Sequence, residues 1–125
     1  MNFKLACLIG AVLATPFGLV FVFLPELTAS VYGIANWNAG TLGVARLFGD
    51  ELLFVAGALY AVRDCTDVRI QQKLGKLLAL ASLIGCAISV QWVTSGATNA
   101  LMWSTVGIYG FLMLMWGSVG FRSNT

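Results

Sequence analysis

The sequence predicts an all-α integral membrane protein, a four-helix bundle with both termini in the cytoplasm, built as a single transmembrane domain over residues 1–125. Three observations carry that expectation: a shortage of charge, four apolar stretches of spanning length, and a one-sided distribution of Lys and Arg. Apolar residues make up 59% of the chain and charged ones 10%, and the mean hydropathy is +0.89. A soluble domain carries about a quarter charged residues because it has to solvate its outside. The formal charge of +2 is small and scattered, which excludes the basic stripe of a nucleic-acid binder.

The apolar stretches cover residues 5–24, 41–62, 74–94 and 99–121. About 20 apolar residues in a helix cross a hydrocarbon core of about 30 Å. Backbone groups in lipid have to bond internally, so isolated runs of this length read as helices. Strand-length alternation is missing, which argues against a β-barrel. The first run follows Lys4 and is longer than an ordinary signal-peptide core, so it reads as a retained span. Ala6, Gly10, Ala14 and Gly18 recur every fourth residue along it. Such a stripe of small residues lets backbones approach where lipid provides no hydrophobic drive between helices, and it is expected to be a helix-packing face.

Residues 25–40 form the first outer loop. It contains Leu27, Val31, Tyr32, Ile34 and Trp37 and is expected to lie on the outer surface as a short amphipathic segment. The loop between the second and third spans carries Arg63, Arg69, Lys73 and Lys76, with Lys4 before the first span and Arg122 after the fourth. The other two loops contain neither Lys nor Arg. The positive-inside rule then places both ends and the middle loop in the cytoplasm, which implies a multi-pass protein of the cell (inner) membrane. Two aromatic belts are expected, with Trp37, Trp92 and Trp103 outside and Trp116, Phe121, Tyr60 and Phe3 inside; helix packing is an equal reading for Trp116. The short last outer link, residues 95–98, predicts a close hairpin of the third and fourth spans.

Arg46, Asp50 and Glu51 interrupt the second span. At about 1.5 Å per residue Arg46 lies some 7 to 8 Å below the outer boundary and the carboxylates lie near the midplane. Each charge at depth costs about 2.5–3.5 kcal/mol. The large aliphatic and Phe residues of that span return only about 0.3–0.6 kcal/mol each, so the charges need partners. Arg46 and Asp50 are four apart and can pair on one face. Glu51 points about 100° away and needs another partner, a proton or water. Thr15, Gln91, Ser104 and Tyr109 lie at matching depths, and Pro16 frees a backbone carbonyl one turn earlier. Together with the three charges they form a candidate polar cluster, for binding or for structure.

Catalytic candidates are confined to Asp50, Glu51 and Tyr109. Histidine is absent, which removes the commonest general base and a frequent metal and haem ligand. Cys7, Cys65 and Cys86 match no metal or redox spacing and are expected as free thiols. No metal site and no cofactor is predicted, although the apolar setting admits a bound lipid, pigment or quinone.

Pro25-Glu26-Leu27, then Tyr32-Gly33, then Arg46 with Gly49 after it, resembles small four-span bacterial membrane proteins of uncharacterised families loosely grouped with the DoxX-like proteins. The resemblance covers most of the chain and implies a compact four-helix bundle; it brings no activity or site residues, and Asp50-Glu51 lies outside the matched pattern.

Three functions compete. The first is a non-catalytic accessory or scaffold subunit of a larger membrane complex, in contact with lipids and with other transmembrane proteins or copies of itself. The second is a binder or converter of a lipophilic molecule such as a quinone, sterol-like lipid or terpenoid. There an intramembrane carboxylate would donate a proton, with Arg46 as its electrostatic partner and Tyr109 as a hydrogen-bond donor. The third is a small oligomeric transporter.

Overall fold

The computed structural model describes residues 1–123 and is all-helical among them. Five helices follow one another: α1 (Phe3–Phe23), α2 (Pro25–Val31), α3 (Ala39–Val62), α4 (Val68–Thr94) and α5 (Met102–Gly120). By length and apolar composition α1, α4 and α5 can each cross a membrane. The 24-residue α3 falls within the same range of lengths but carries Arg46, Asp50 and Glu51 in its middle.

Local chemistry fixes the helix ends. Asn2 caps α1 by accepting the Lys4 amide at 2.8 Å. Pro25 starts α2 at a position where its missing N–H is no loss. Asn38 and Thr41 form a reciprocal capping box at the head of α3. Asp67 caps α4 through the Arg69 amide at 2.8 Å. α2 and α4 stop in the same way. Gly33 and Gly96 take left-handed φ values of 69° and 78°, and the amides of Ile34 and Ala97 reach back to the carbonyls of Ala29 and Trp92. These are Schellman caps, which favour glycine at the turning position.

Several expected boundaries shift. α4 begins at Val68 rather than 74, because Asp67 caps a helix whose first turns are charged and lie outside the apolar run. Residues 99–101 are not part of α5. Asn99 is engaged elsewhere: its amide donates to the Tyr32 carbonyl at 2.9 Å and its Nδ2 to the Val31 carbonyl at 2.8 Å.

The helices form two antiparallel pairs, α1 with α3 and α4 with α5, and the contact between the pairs is narrow and runs chiefly through α1 and α5. A core at one end unites them. Phe3, Ala6, Cys7 and Ala11 meet Ala56 and Leu59 of α3, Ala79 of α4, and Met115, Trp116 and Val119 of α5. Trp116 is 2% exposed and Phe3 3%, and their rings meet edge to face at 6.5 Å. Both belong to the core and not to an aromatic belt. Trp37, Trp92, Trp103, Tyr60 and Phe121 are exposed, as a belt requires.

The same end gathers the basic residues. Lys4 Nζ pairs with Asp64 at 2.7 Å, Gln72 donates to the Arg122 carbonyl at 2.9 Å, and the Arg122 guanidinium donates to Gln71 Oε1. The two ends of the described chain and the α3–α4 loop therefore share one end of the molecule. At the other end Tyr32 Oη meets Thr105 Oγ1 at 3.2 Å, tying the loop after α2 to α5.

The exterior is apolar. Only 28%, 17% and 22% of the residues in the most apolar stretches of α1, α4 and α5 are buried inside the chain. Val12, Phe54, Leu77 and Leu114 are each at least 65% exposed. Water would penalise this much apolar surface, whereas lipid does not.

Candidate functional site

Most of the polar side chains expected to converge do not. The Thr15 hydroxyl donates to the Ala11 carbonyl at 2.7 Å, and Ser104 donates to Leu101 at 2.6 Å. Both bonds stay within one turn of the residue itself, as hydroxyls in helices commonly do. Gln91 is exposed. The Tyr109 ring packs on Gly85, where an added Cβ would come within 2.5 Å of it, so Tyr109 serves the α4–α5 seam. None of these four residues is joined by a hydrogen bond to Arg46, Asp50 or Glu51 among the described residues.

Arg46, Asp50 and Glu51 are exposed, and among the described residues none of them forms an ion pair. The expected Arg46–Asp50 pair within α3 is not made. Side chains lean toward a helix's N-terminus, so a cation placed before an anion leans away from it. That is the poorer order for a pair spaced by four.

Their direction follows from the packing of α3. Gly49 sits against α1, where an added Cβ would lie 2.7 Å from the Gly18 carbonyl oxygen and 2.8 Å from Phe21 Cβ. At about 100° per residue, Val55 and Leu59 lie on one flank of that contact line, and these pack into the core shared with α5. Arg46, Asp50, Gly43 and Gly57 lie on the opposite flank, about 60–120° from Gly49. An added Cβ at Gly43 or Gly57 would meet nothing within 4 Å. The charges thus mark an open outer flank that faces away from the α4–α5 pair. Glu51, about 200° from Gly49, points directly away from α1.

The small-residue stripe of α1 is engaged within the chain. A Cβ at Gly10 would come 2.8 Å from Leu59 and 3.4 Å from Trp116, and one at Gly18 would come 2.8 Å from Leu53. Ala6 is fully buried and Ala14 packs against the core. The matching device in the other pair is the crossing of Gly75 and Gly120, where an added Cβ on either would lie 2.6 Å from the facing backbone nitrogen. No local signal in the sequence pairs these two glycines, which lie on different helices.

A separate groove of about 250 Å³ lies between α1 and α2, lined by Pro16, Phe17, Val20, Phe21, Leu27, Thr28, Val31 and Tyr32. Its lining contains no ionisable group except the Tyr32 phenol. Among the described residues no cluster of Cys, Asp and Glu has the arrangement of a metal site, and Cys7, Cys65 and Cys86 are free thiols.

No family model matches the chain, and comparison with curated proteins and with solved structures finds no significant match.

Proposed function

We propose that the chain crosses the inner membrane four times, with both ends in the cytoplasm, and serves as a non-catalytic accessory or scaffold subunit of a larger membrane assembly. One observation carries this reading. The ionisable side chains of α3 line an outer flank instead of converging on an interior pocket. A catalytic carboxylate needs substrate held against it, whereas an unpaired charge facing lipid calls for a protein to cover it. The four-span topology draws support from the gathering of Lys4, Arg63, Arg69, Lys73, Lys76 and Arg122 toward one end, where Lys4 meets Asp64 and Arg122 meets Gln71. With α1, α4 and α5 as spans, α3 has to cross as well to bring the α3–α4 loop back to that end.

Gentle native purification followed by mass analysis tests the function: a foreign membrane protein in fixed ratio is the expected result, and the chain travelling with lipid alone refutes it. Topology is checked separately with Ser30→Cys and Ile70→Cys, each in a background without native cysteines. An impermeant thiol reagent on intact cells should label position 30 and spare position 70; the reverse pattern refutes the orientation.

The groove between α1 and α2 favours a second reading, the binding of a lipophilic molecule. Its apolar lining suits an acyl or isoprenoid chain, while Asp50 and Glu51 lie outside it. This reading therefore concerns binding and not conversion. Val20→Trp, which fills the groove, should then remove a co-purifying lipid.

A further inference from the structure

We infer that the Arg46–Asp50 flank of α3 is a self-association surface, occupied by the same flank of a second copy of this chain. The inference rests on the reading of α3 as a membrane span and names the partner of that surface.

Both charges are exposed and unpaired among the described residues. A charge left at that depth in lipid is costly. The flank has to be covered by something that supplies an anion beside Arg46 and a cation beside Asp50. A second copy supplies both. Two copies inserted with the same topology are related by a two-fold axis along the membrane normal, which sets equivalent residues at equal depth. One turn separates Arg46 from Asp50, about 6 Å along the axis, within reach of an arginine side chain. Each Arg46 then lies beside the partner's Asp50, and two ion pairs form together.

The backbone of the flank suits close approach. Gly43, Asp50 and Gly57 are spaced by seven, a repeat that stays aligned between two parallel helices in a left-handed crossing. Gly43 and Gly57 bracket the charges, and space beside both is open. Small residues above and below a polar pair let helices approach closely enough for it to form. The α4–α5 pair meets α3 on the Val55–Leu59 flank, opposite this one, so the Gly43–Gly57 edge of α3 is left open. Glu51 points away from this contact and takes no part in it.

The test uses the full chain in native membranes, with Cys7, Cys65 and Cys86 replaced. Gly43→Cys fits without displacing anything, since its Cβ has no neighbour within 4 Å. Leu114→Cys on α5, 70% exposed, is the control on the other pair. Oxidation should give at least ten-fold more cross-linked dimer at position 43 than at 114. Equal cross-linking at the two positions, or a cross-link from position 43 to a different protein, overturns the proposal. Charge reversal separates self-association from a chance encounter. Arg46→Glu alone and Asp50→Arg alone should each reduce the position-43 cross-link at least ten-fold, and co-expression of the two should restore it as a mixed dimer. If both variants insert and no mixed dimer forms, the pairing is wrong; if either fails to insert, the comparison of positions 43 and 114 with native charges decides. A foreign protein cross-linked at 43 would sink self-association and leave the subunit reading intact. Purification of this dimer without any foreign protein would do the opposite.

Discussion

The two helix pairs manage polar groups in opposite ways. In the α4–α5 pair every buried polar side chain of α4 bonds inside the chain: Gln71 to the Cys65 carbonyl at 2.6 Å, Ser82 to Leu78 at 2.7 Å and Ser89 to Gly85 at 2.8 Å. Its charges, Arg69, Lys73 and Lys76, are kept to the first turns of α4. In the α1–α3 pair three charges, Arg46, Asp50 and Glu51, occupy the middle of α3 and point out of the molecule. Both pairs rely on a glycine crossing, Gly75 with Gly120 in one and Gly18 with Gly49 in the other. Close backbone approach is therefore common to both, and polar satisfaction is what differs. The buried side chains of α4 are satisfied within the chain, the Thr98 hydroxyl of the α4–α5 link being the buried exception among the described residues, and the other pair leaves the charges of α3 for something outside it.

The largest expected effect tests the completeness of the α4–α5 pair. Gly75→Leu puts a branched side chain where a bare Cβ would already lie 2.6 Å from the Gly120 nitrogen. Backbone cannot swing aside as a side chain can, so the cost should be about 3 kcal/mol or more. Thermal unfolding in mild detergent should show it as a clear loss of melting temperature. A wild-type melting curve would mean that the crossing is not close.

Gly10→Leu should be milder, about 1–3 kcal/mol, because the atoms it meets are the ends of the Leu59 and Trp116 side chains. Leu13→Ile, off that stripe, should cost less than about 1.5 kcal/mol. Equal behaviour of Gly10→Leu and Leu13→Ile in the same assay would make the stripe incidental to packing.

How much of this was legible in the sequence depends on whether the cause was local. The spacing of Ala6, Gly10, Ala14 and Gly18 is a local fact, and in the structure Gly10 lies against Leu59 and Trp116 and Gly18 against Leu53. The apolar runs locate the helices but not their ends, because hydropathy reports lipid thickness while caps decide where a helix stops. Asp67 starts α4 six residues before the apolar run expected to begin at 74. Asn99 leaves α5 for Val31 and Tyr32, which lie far from it in sequence, and no local signal announces that contact. The three charges of α3 were legible as a cluster. Their outward direction was not, since it depends on which face of α3 meets α1, and that is set by Gly49 against Gly18.

A smaller effect sharpens the reading of the α3 flank. In detergent at a dilution that keeps the chain monomeric, Arg46→Met and Asp50→Leu should add in a melting assay to within about 0.5 kcal/mol. Residues that do not touch have no shared energy to lose twice. Coupling of about 3 kcal/mol in the monomer would restore the Arg46–Asp50 pair within α3 and close the flank.

The smallest effect lies where α1 is tied to the α3–α4 loop by charge. Lys4 of α1 meets Asp64 of the α3–α4 loop at 2.7 Å, and Arg63 approaches the same carboxylate at 3.4 Å. The Lys4 hydrogen bond, with the charges of Lys4 and Arg63 behind it, holds the Asp64 carboxyl below the usual carboxylate range. A group whose value is lower in the folded state stabilises that state above its unfolded value of about 3.9, and the contribution fades as pH falls through the folded value. Asp64→Asn should therefore be slightly less stable than the parent at pH 7, and the difference should close as the medium is taken below pH 3. The side chains of Lys4 and Asp64 are 56% and 57% exposed, so salt screens the pair and adding it should narrow the gap at pH 7. A loss at pH 7 as large as that of Gly75→Leu, or one that persists at the acid end, would show Asp64 holding the loop to α1 by packing instead of by charge.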